Sequence, residues 1–338
     1  MTKGRPPRCD IAVLVDQETG DYRGNGRFVV DAGSMEASVL ACLRTPPKRV
    51  EVVPFDPRVT PTIERLRALK PRLVLNLTEW VDGDRSQDAA IAGLLDMMGL
   101  AYTGSGPDGM RLARDKALSK VVVASLGVAV PRHFVVAPGA RVRNPGLPYP
   151  LIVKPQLDDG SVGITLKSLV RDERALKAQV RRMRRLIEGP LVCEQFIPGR
   201  DLFVGVIGNG PRVLPAIELV FGKHGPAMPR FMTYHVKHDR RYRTRWQAGY
   251  RLPRLAPAIV AVIGAASRAI FHALKLRDYA RIDYRLAADG TLYFLEANPN
   301  PDLSRHAFGR NRCFAGMRYP VLLRSIIVAA RKRCGVRP

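Results

Sequence analysis

The sequence predicts an α/β protein whose N-terminal part folds around an open parallel sheet, followed by an α+β region with antiparallel strand pairs. Two observations support this fold class. Short apolar segments alternate with helical segments between residues 10 and 99, the rhythm of a parallel sheet covered by helices. Near the C-terminus, two strand-like segments are separated only by a short interval with an Asp289-Gly290 turn signal, which is typical of an antiparallel hairpin.

The N-terminal elements follow from this alternation. Strands are predicted over residues 10–15, 49–55 and 72–77, and helices over 34–44, 60–69 and 86–99. The third strand is apolar without strict alternation, as expected of a strand buried on both faces. Ser86 is the expected N-cap of the third helix. Because open parallel sheets bind ligands at the carboxyl ends of their strands, we expect Asn76 and Glu79 at the edge of a site.

The remaining elements are predicted in the same way. One long helix is expected over residues 108–127, ending at Gly127. Strands follow at 132–136, 150–155, 163–168 and 191–196, with a helix over 171–187 before the last of them. The last third is expected to contain strands over 201–208 and 212–219 joined by an Asn209-Gly210 turn, a basic aromatic loop over 221–251, a helix over 256–275, the strand pair 280–298 and a helix near 319–331.

Composition places the chain among folded soluble proteins. Its 338 residues, with 46% apolar and 25% charged side chains, predict two or three domains. No run of eighteen apolar residues is present and no apolar stretch follows the N-terminal charges, so neither a membrane span nor a secretory signal is expected. The five cysteines are widely spaced, without a zinc pattern. We therefore expect a cytoplasmic protein with reduced thiols and no membrane partner.

The net charge of +25 has two interpretations. A strongly positive field attracts anions such as nucleic acid, membranes or phosphorylated substrates. The alternative is an arginine-rich surface, and the "RRMRR" run (181–185) fits the solvated face of a helix. No helix-turn-helix, zinc finger or aromatic RNA-binding platform is recognisable, so no specific nucleic-acid partner is expected.

The stretch "YPLIVKPQLDDGSVGIT" (149–165) indicates a phosphate site. A strand delivers Lys154, and a loop with Gly160, Ser161 and Gly163 leads into the next segment. Small residues let backbone N–H groups close over phosphate oxygens, and a lysine on the neighbouring strand adds positive charge. A hairpin whose glycines serve only its turn is the alternative.

The stretch "RIDYRL…LYFLEAN" (281–298) indicates a metal site. Alternate residues of a strand share a face, so Arg281 and Asp283 lie side by side, as do Glu296 and Asn298. Antiparallel pairing brings all four to one end of the strand pair. Oxygen donors without His or Cys suit Mg²⁺. Salt bridges between these acids and nearby arginines are the alternative.

A third stretch, "LVCEQFIPGRD" (191–201), places Glu194 at a strand end and Asp201 after a Pro-Gly turn, a hinge position suited to a ligand. With "YTGSGPDGMRLARDKALSK" (102–120) before it, the order of motifs resembles the ATP-grasp superfamily and, within it, the D-alanine–D-alanine ligases. The resemblance runs in register from about residue 72 to residue 305.

The resemblance implies an N-terminal parallel open-sheet (pre-ATP-grasp) domain followed by the two-subdomain ATP-grasp fold. The corresponding boundaries are an N-terminal α/β substrate domain over 1–113, a central ATP-grasp subdomain over 114–196 and a C-terminal subdomain with the metal site over 197–338. It also implies an ATP-dependent carboxylate–amine ligase that acts through an acyl phosphate in peptidoglycan synthesis. Amino-acid or other small carboxylate and amine substrates, and a homodimer, are implied as partners.

The resemblance further implies a role for each matched residue. ATP phosphates would be held by Lys116, Lys154 and the loop with Gly160 and Gly163, the adenine by Glu194 and the backbone at Ile197, and the ribose by Asp201. Two Mg²⁺ ions, with Mn²⁺ as the alternative, would bind Asp283, Glu296 and Asn298, with Glu296 bridging. Arg281 would stabilise the transferred phosphoryl group, and Ser161 lies in the loop that closes over the γ-phosphate.

The amino-acid motifs depart from the family. "DQETGDYRGNG" (16–26) replaces the family's Gly-Gly-x-Ser-x-Glu segment, and "NLTEWVDGDRSQDAA" (76–90) replaces its His-Gly…Gly-Glu-Asp-Gly signature. His238 stands where the mobile loop carries a tyrosine, and Asp302 replaces the glycine of Asn-x-x-Pro-Gly. His238 is therefore a candidate acid–base group or a solvated lid residue. A different acceptor substrate, or a degenerate nucleotide-binding regulator, are the alternatives to D-alanine ligation.

Overall fold

The computed structural model describes residues 9–24, 26–43, 49–158, 160–222, 231–304 and 317–336. No helix within these ranges is both long and apolar enough to cross a membrane. The first elements are β1 (Ile11–Asp16), β2 (Gly20–Tyr22), β3 (Phe28–Val30), α1 (Met35–Leu43), β4 (Val50–Phe55), α2 (Thr60–Leu69) and β5 (Leu73–Asn76). The predicted parallel sheet is confirmed, in the order β4-β1-β5, while β2 and β3 form a separate hairpin.

Strand β1 is buried on both faces, which explains its continuous apolar sequence. On one face, Ile11 and Val13 pack in a cluster with Val39 of α1. On the other, Leu14 packs in a cluster with Leu66 of α2. The alternation of side chains along a strand sends successive residues into these two clusters.

Two helix predictions in the next segment were wrong in detail. Ser86 is not an N-cap; instead Asp84 accepts its backbone N–H and caps a short 3₁₀ turn ahead of α3 (Asp88–Met97). The single helix expected over 108–127 is divided into α4 (Pro107–Arg114) and α5 (Lys116–Ala124). Asp115 between them accepts the backbone N–H groups of Ala117 and Leu118, so a new N-cap begins α5.

The middle of the chain forms a four-stranded antiparallel sheet. Its elements are β6 (His133–Val136), β7 (Leu151–Pro155), β8 (Leu169–Val170), α6 (Glu173–Met183) and β9 (Leu191–Gln195), with strand order β6-β9-β7-β8. The strand predicted over 163–168 was wrong: Thr165 caps a 3₁₀ turn at Leu166–Ser168, and the pairing residues are those of β8.

The last part of the chain forms a larger antiparallel sheet. Its elements are β10 (Gly199–Ile207), β11 (Arg212–Val213), β12 (Ile217–Phe221), α7 (Tyr234–His238), α8 (Arg240–Trp246), β13 (Ala248–Arg251), α9 (Pro257–Ala273), β14 (Tyr279–Ala287), β15 (Leu292–Asn298) and α10 (Tyr319–Arg333). The order is β13-β12-β10-β14-β15, with β11 on β10.

Two predictions for this sheet need correction. The strand expected over 212–219 is two strands, β11 and β12, on either side of a segment that contains Pro215; proline has no N–H to donate to a ladder. The loop expected over 221–251 contains α7, α8 and β13, and residues 223–230 lie outside the described part of the chain. The β14–β15 hairpin forms as predicted, with Asp283 opposite Glu296 and Arg281 opposite Asn298.

Candidate active site

The end of the β14–β15 hairpin collects the four polar side chains of the candidate metal motif. Arg281 donates from Nε and Nη2 to the two carboxylate oxygens of Asp283 at 2.7 and 2.9 Å. Asn298 Nδ2 lies 3.4 Å from Asp283 Oδ2. Burial raises the pKa of Asp283, with Arg281 opposing and Glu296 adding to the rise. Burial also acts to raise the pKa of Glu296, but nearby cations, Lys116 first among them, lower it overall.

Lys116, at the start of α5, approaches this hairpin from the helix side. Its Nζ lies 3.9 Å from Glu296 Oε2 and donates to the Asp158 carbonyl. The structure therefore brings one of the two predicted phosphate lysines to the candidate metal carboxylates, as expected of a site that holds phosphate and metal together.

Lys154 on β7 forms an ion pair with Glu194 on β9, and a second lysine shares that carboxylate. Lys120 is fully buried, with its Nζ 3.0 Å from Glu194 Oε2 and 2.8 Å from the Leu295 carbonyl. Burial acts to raise the pKa of Glu194, but Lys120 and Lys154 lower it to about 2. Lys120 had no role in the sequence-based interpretation, although it lies one helical turn after Lys116 and so on the same face.

The glycine loop has an unusual backbone. Gly160, Ser161 and Gly163 all adopt positive φ, at 70°, 63° and 69°. For Ser161, a non-glycine residue, this conformation is uncommon, and such positions concentrate at functional sites. His238 of α7 lies against this loop, with Nε2 3.0 Å from the Gly160 carbonyl oxygen. The helix that carries His238 therefore already covers the loop.

A cavity of about 110 Å³ lies where these elements meet. Its lining combines the hairpin end with groups from four other segments: Lys116, Gly160, Lys237, Arg281, Glu296, Asn298, Glu79 and Asp302. Lys237 is a site residue to which the sequence analysis gave no role. His238 is not among the lining residues, because its ring points to the Gly160 carbonyl instead.

The N-terminal side of this cavity carries two ion pairs. Arg85 pairs with Glu79, and Arg114 with Asp88. Asn76, expected at the site edge with Glu79, is buried and does not line the cavity, because its Oδ1 accepts from the backbone and hydroxyl of Thr78. Of the four residues in the two ion pairs, the sequence analysis anticipated only Glu79.

A second cavity, of about 720 Å³, lies beside the hinge between β9 and β10. Asp201, the expected ribose ligand, lines it and pairs with buried Arg285. Arg285 also donates to the carbonyl of Ile197 at 2.8 Å, where adenine contacts were expected. Arg285 was not recognised from the sequence.

The donor set at the hairpin end fits a hard divalent cation. Within the described ranges, no cluster of three or more His, Cys, Asp or Glu side chains could hold a metal. Asp283, Glu296 and Asn298 instead offer two carboxylates and an amide, and Glu296 and Asn298 line the first cavity, whereas Asp283 does not. Such an oxygen-only set suits Mg²⁺ when phosphates and waters supply the remaining ligands. Both Asp283 oxygens also accept from Arg281.

Comparison with known proteins agrees with this geometry. The protein-family model for the D-ala D-ala ligase C-terminus matches residues 122–328. The chain is 34% identical to the D-alanine--D-alanine ligase of Desulfotalea psychrophila over 259 residues, which covers 72% of this chain and 74% of that one.

The chain belongs to the D-alanine–D-alanine ligase family. It is an ATP-dependent ligase of that type.

Two further relatives cover most of the chain. An uncharacterised protein of Sinorhizobium fredii, y4sG, is 29% identical over 313 residues, with 89% of this chain and 88% of that one covered. The crystal structure of the D-alanine--D-alanine ligase from Bacillus anthracis complexed with ATP superposes with a TM-score of 0.72 at 20% identity, covering 97% of this chain and 99% of that one. This likeness establishes the shared fold.

Proposed function

We propose that the enzyme joins a carboxylate to an amine through an acyl phosphate, with two molecules of D-alanine as the first substrate pair to test. The observation that carries the proposal is the first cavity. There, Lys116 and Lys237 face the candidate metal ligands Glu296 and Asn298, with Arg281 beside them. Cations and oxygen donors that line the same cavity suit the phosphates of a nucleoside triphosphate and their divalent ions.

The nucleotide would lie along the two cavities. Lys116, Lys154 and the loop with Gly160, Ser161 and Gly163 are proposed to hold the phosphates. Glu194 and the backbone at Ile197 would contact the base, and Asp201 the ribose. The ion pair between Lys154 and Glu194 links the proposed phosphate and base groups directly, which supports one continuous nucleotide site.

The metal ligands would be Asp283, Glu296 and Asn298, holding two Mg²⁺ ions, with Mn²⁺ as an alternative. When bound, these ions neutralise phosphate charge and orient the leaving group. Two cationic side chains would flank the phosphate charge: Lys116 from the α5 side and Arg281 from β14.

The chemistry then follows from position and charge. A carboxylate oxygen of the first substrate attacks the γ-phosphorus, the bond to the bridging oxygen breaks, and ADP leaves. The amine nitrogen of the second substrate attacks the carbonyl carbon of the acyl phosphate, phosphate leaves, and the proton lost by the amine passes to solvent. Arg281 is positioned to balance the negative charge that develops in both steps.

His238 is proposed to act from α7, which would serve as a lid over the glycine loop. Its contact with Gly160 supports a role in closing the glycine loop over ATP, whereas a direct acid–base role would require its ring to turn toward the substrates.

A second candidate keeps the ATP chemistry and changes the amine. Asp302, Glu79 and Arg85 line the first cavity, and such charged groups favour an acceptor with its own charge. A basic or acidic amino acid would then replace the second D-alanine.

The three sheets support the proposed domain division. The parallel sheet with β1, β4 and β5 lies within residues 1–113, the sheet from β6 to β9 within 114–196, and the sheet from β10 to β15 within 197–338.

The proposed function is tested by phosphate release from MgATP with D-alanine and then with panels of D- and L-amino acids and dipeptides. Release that depends on D-alanine, with a D-alanyl-D-alanine product by mass spectrometry, is the expected result. Release only with another pair would replace D-alanine by that pair. Absence of release with every pair would refute ligase activity on amino-acid substrates.

A further inference from the structure

Strand β14 places three polar side chains on one face, at Arg281, Asp283 and Arg285. Alternate residues of a strand lie about 6.7 Å apart on the same face. Arg281 lines the first cavity and Arg285 lines the second. The strand therefore runs from the proposed phosphate end of the site to the proposed ribose end, and the mechanism above uses only its first two polar residues.

Arg285 is held deeply and touches both groups expected to contact the nucleoside. Its side chain is 4% exposed, and its Nη1 pairs with Asp201 Oδ1. Asp201 on β10 lies directly opposite Arg285 on β14. Its Nε donates to the Ile197 carbonyl at 2.8 Å, and its guanidinium lies 5.2 Å from the ring centre of Phe196. One buried cation thus fixes a carboxylate, a hinge carbonyl and an aromatic ring.

The arrangement leaves Asp201 suited to accept a ligand hydroxyl. Arg285 Nη1 donates to Oδ1 of this carboxylate and so fixes its position at the cavity wall. Asp201 lines the second cavity. A carboxylate fixed in one rotamer by a bidentate-capable arginine loses little entropy when it accepts a further hydrogen bond.

We propose that Arg285 is a positioning residue for the nucleotide: it orients Asp201 and the Ile197 hinge so that the enzyme selects a nucleoside triphosphate with intact ribose hydroxyls. This inference rests on the proposed function, since it requires that ATP occupies the two cavities. A charge-assisted hydrogen bond of this kind corresponds to roughly a tenfold preference for ATP over the analogue that lacks the contacted hydroxyl.

The alternative role for Arg285 is purely structural, since a buried carboxylate requires a partner. The two roles differ in one measurable quantity. Loss of a structural partner weakens the fold, or the binding of all nucleotides alike. Loss of a positioning residue lowers the ratio of affinities between ATP and its deoxy analogues.

The experiment is calorimetric titration of the full chain with the magnesium complexes of ATP, 2′-deoxy-ATP and 3′-deoxy-ATP. Wild type is expected to prefer ATP about tenfold over at least one analogue. In Arg285→Met the preference should fall to about twofold or less, and Arg285→Lys, which keeps the charge without the fork, should be intermediate. Arg254→Met, which removes an exposed arginine outside both cavities, is the control and should leave the preference unchanged.

A double-mutant cycle with Asp201→Ala completes the test. Asp201→Ala should abolish the preference, and adding Arg285→Met should then change it no further. A wild-type preference retained in both Arg285→Met and Arg285→Lys would overturn the inference, as would variants that lose affinity for all three nucleotides equally. Wild-type protein that binds none of the three would instead refute the proposed function, and the inference with it.

Discussion

Glu296 lies opposite Asp283 at the hairpin end, within 3.9 Å of Lys116, and its substitution tests the metal assignment most directly. Glu296→Gln keeps the shape of the side chain and removes its charge. We expect MgATP-dependent turnover to fall by about a hundredfold or more, because preorganised charge around the phosphates supplies much of the rate. Phosphate release under saturating substrates measures this effect.

The control for Glu296→Gln is Glu188→Gln, the same change at an exposed residue outside both cavities. It should leave turnover unchanged. Both variants should unfold cooperatively in a thermal melt. Near wild-type turnover in Glu296→Gln would remove this residue from the metal site.

The buried carboxyl group of Asp16, at the carboxyl end of β1, predicts that the stability of the protein depends on pH. Burial raises its pKa to about 6, with Glu79 and Glu18 adding to the rise, although the backbone N–H groups of Glu79 and Trp80 oppose it. The folded pKa lies above the ordinary value of 3.8, so the native state binds this proton more tightly than the unfolded state. The bound proton at Asp16 therefore stabilises the folded state fully below about pH 4, and this contribution is lost as pH rises through about 6.

The measurement is the free energy of unfolding of wild type and Asp16→Asn by urea titration between about pH 4 and pH 7. The amide keeps an acceptor oxygen for the same N–H groups but does not titrate in this range. The stability of wild type relative to the variant should therefore fall by up to about 3 kcal/mol across the interval. A constant difference would show that Asp16 titrates normally in the folded protein.

At the scale of elements, sequence patterns predicted the features that neighbouring residues determine. The β14–β15 hairpin was predicted with its polar residues at one end, because strand alternation and the Asp289-Gly290 turn are both local signals. The break at Asp115 was missed, since apolar spacing continues across it and only the capping geometry shows the new helix start.

The rest of the site depends on contacts between distant segments. Lys120 and Arg285 were missed because their carboxylate partners lie far away in the sequence: Glu194 is 74 positions from Lys120, and Asp201 is 84 from Arg285. Arg85 was missed although its partner Glu79 lies only six positions away, because no motif marks the pair. In the sequence, each of these residues resembles one more charged side chain of a basic surface. Only the fold shows which of them are buried against a carboxylate.

The lid element gives a prediction that separates two roles of His238. In His238→Phe the ring contact with Tyr234 remains available, while the contact with the Gly160 carbonyl is lost. We expect KM for ATP to rise about fivefold with kcat nearly unchanged, since one hydrogen bond that closes the lid is worth about 1 kcal/mol. Steady-state kinetics with varied ATP provide the measurement.

His235→Phe serves as the control for the lid, because His235 lies on the same short helix and its ring packs against Tyr242. It should change neither constant. A hundredfold fall in kcat for His238→Phe, with a flattened pH–rate profile, would instead identify His238 as an acid–base group.

At the scale of the whole molecule, one buried carboxylate joins three parts of the chain. Asp278 is fully buried and accepts from the Gly104 backbone N–H at 2.8 Å, from Asn209 Nδ2 at 2.7 Å and from Arg333 Nη2 at 2.8 Å. Gly104 follows the parallel sheet, Asn209 lies in the turn after β10, and Arg333 ends α10. The relative placement of the three therefore depends on this carboxylate.

Arg333 supplies the positive charge of this junction and also donates to the Tyr102 carbonyl at 2.7 Å. Arg333→Met should destabilise the protein by about 3–5 kcal/mol, because it leaves the Asp278 charge buried without its cation. Adding Asp278→Asn should recover part of that loss, since the uncompensated charge is then removed.

Arg331→Met, two positions away on α10, is the control and should cost less than about 1 kcal/mol. Urea unfolding of the four proteins measures these values, and equal stability of wild type and Arg333→Met would show that Arg333 does not hold these segments together.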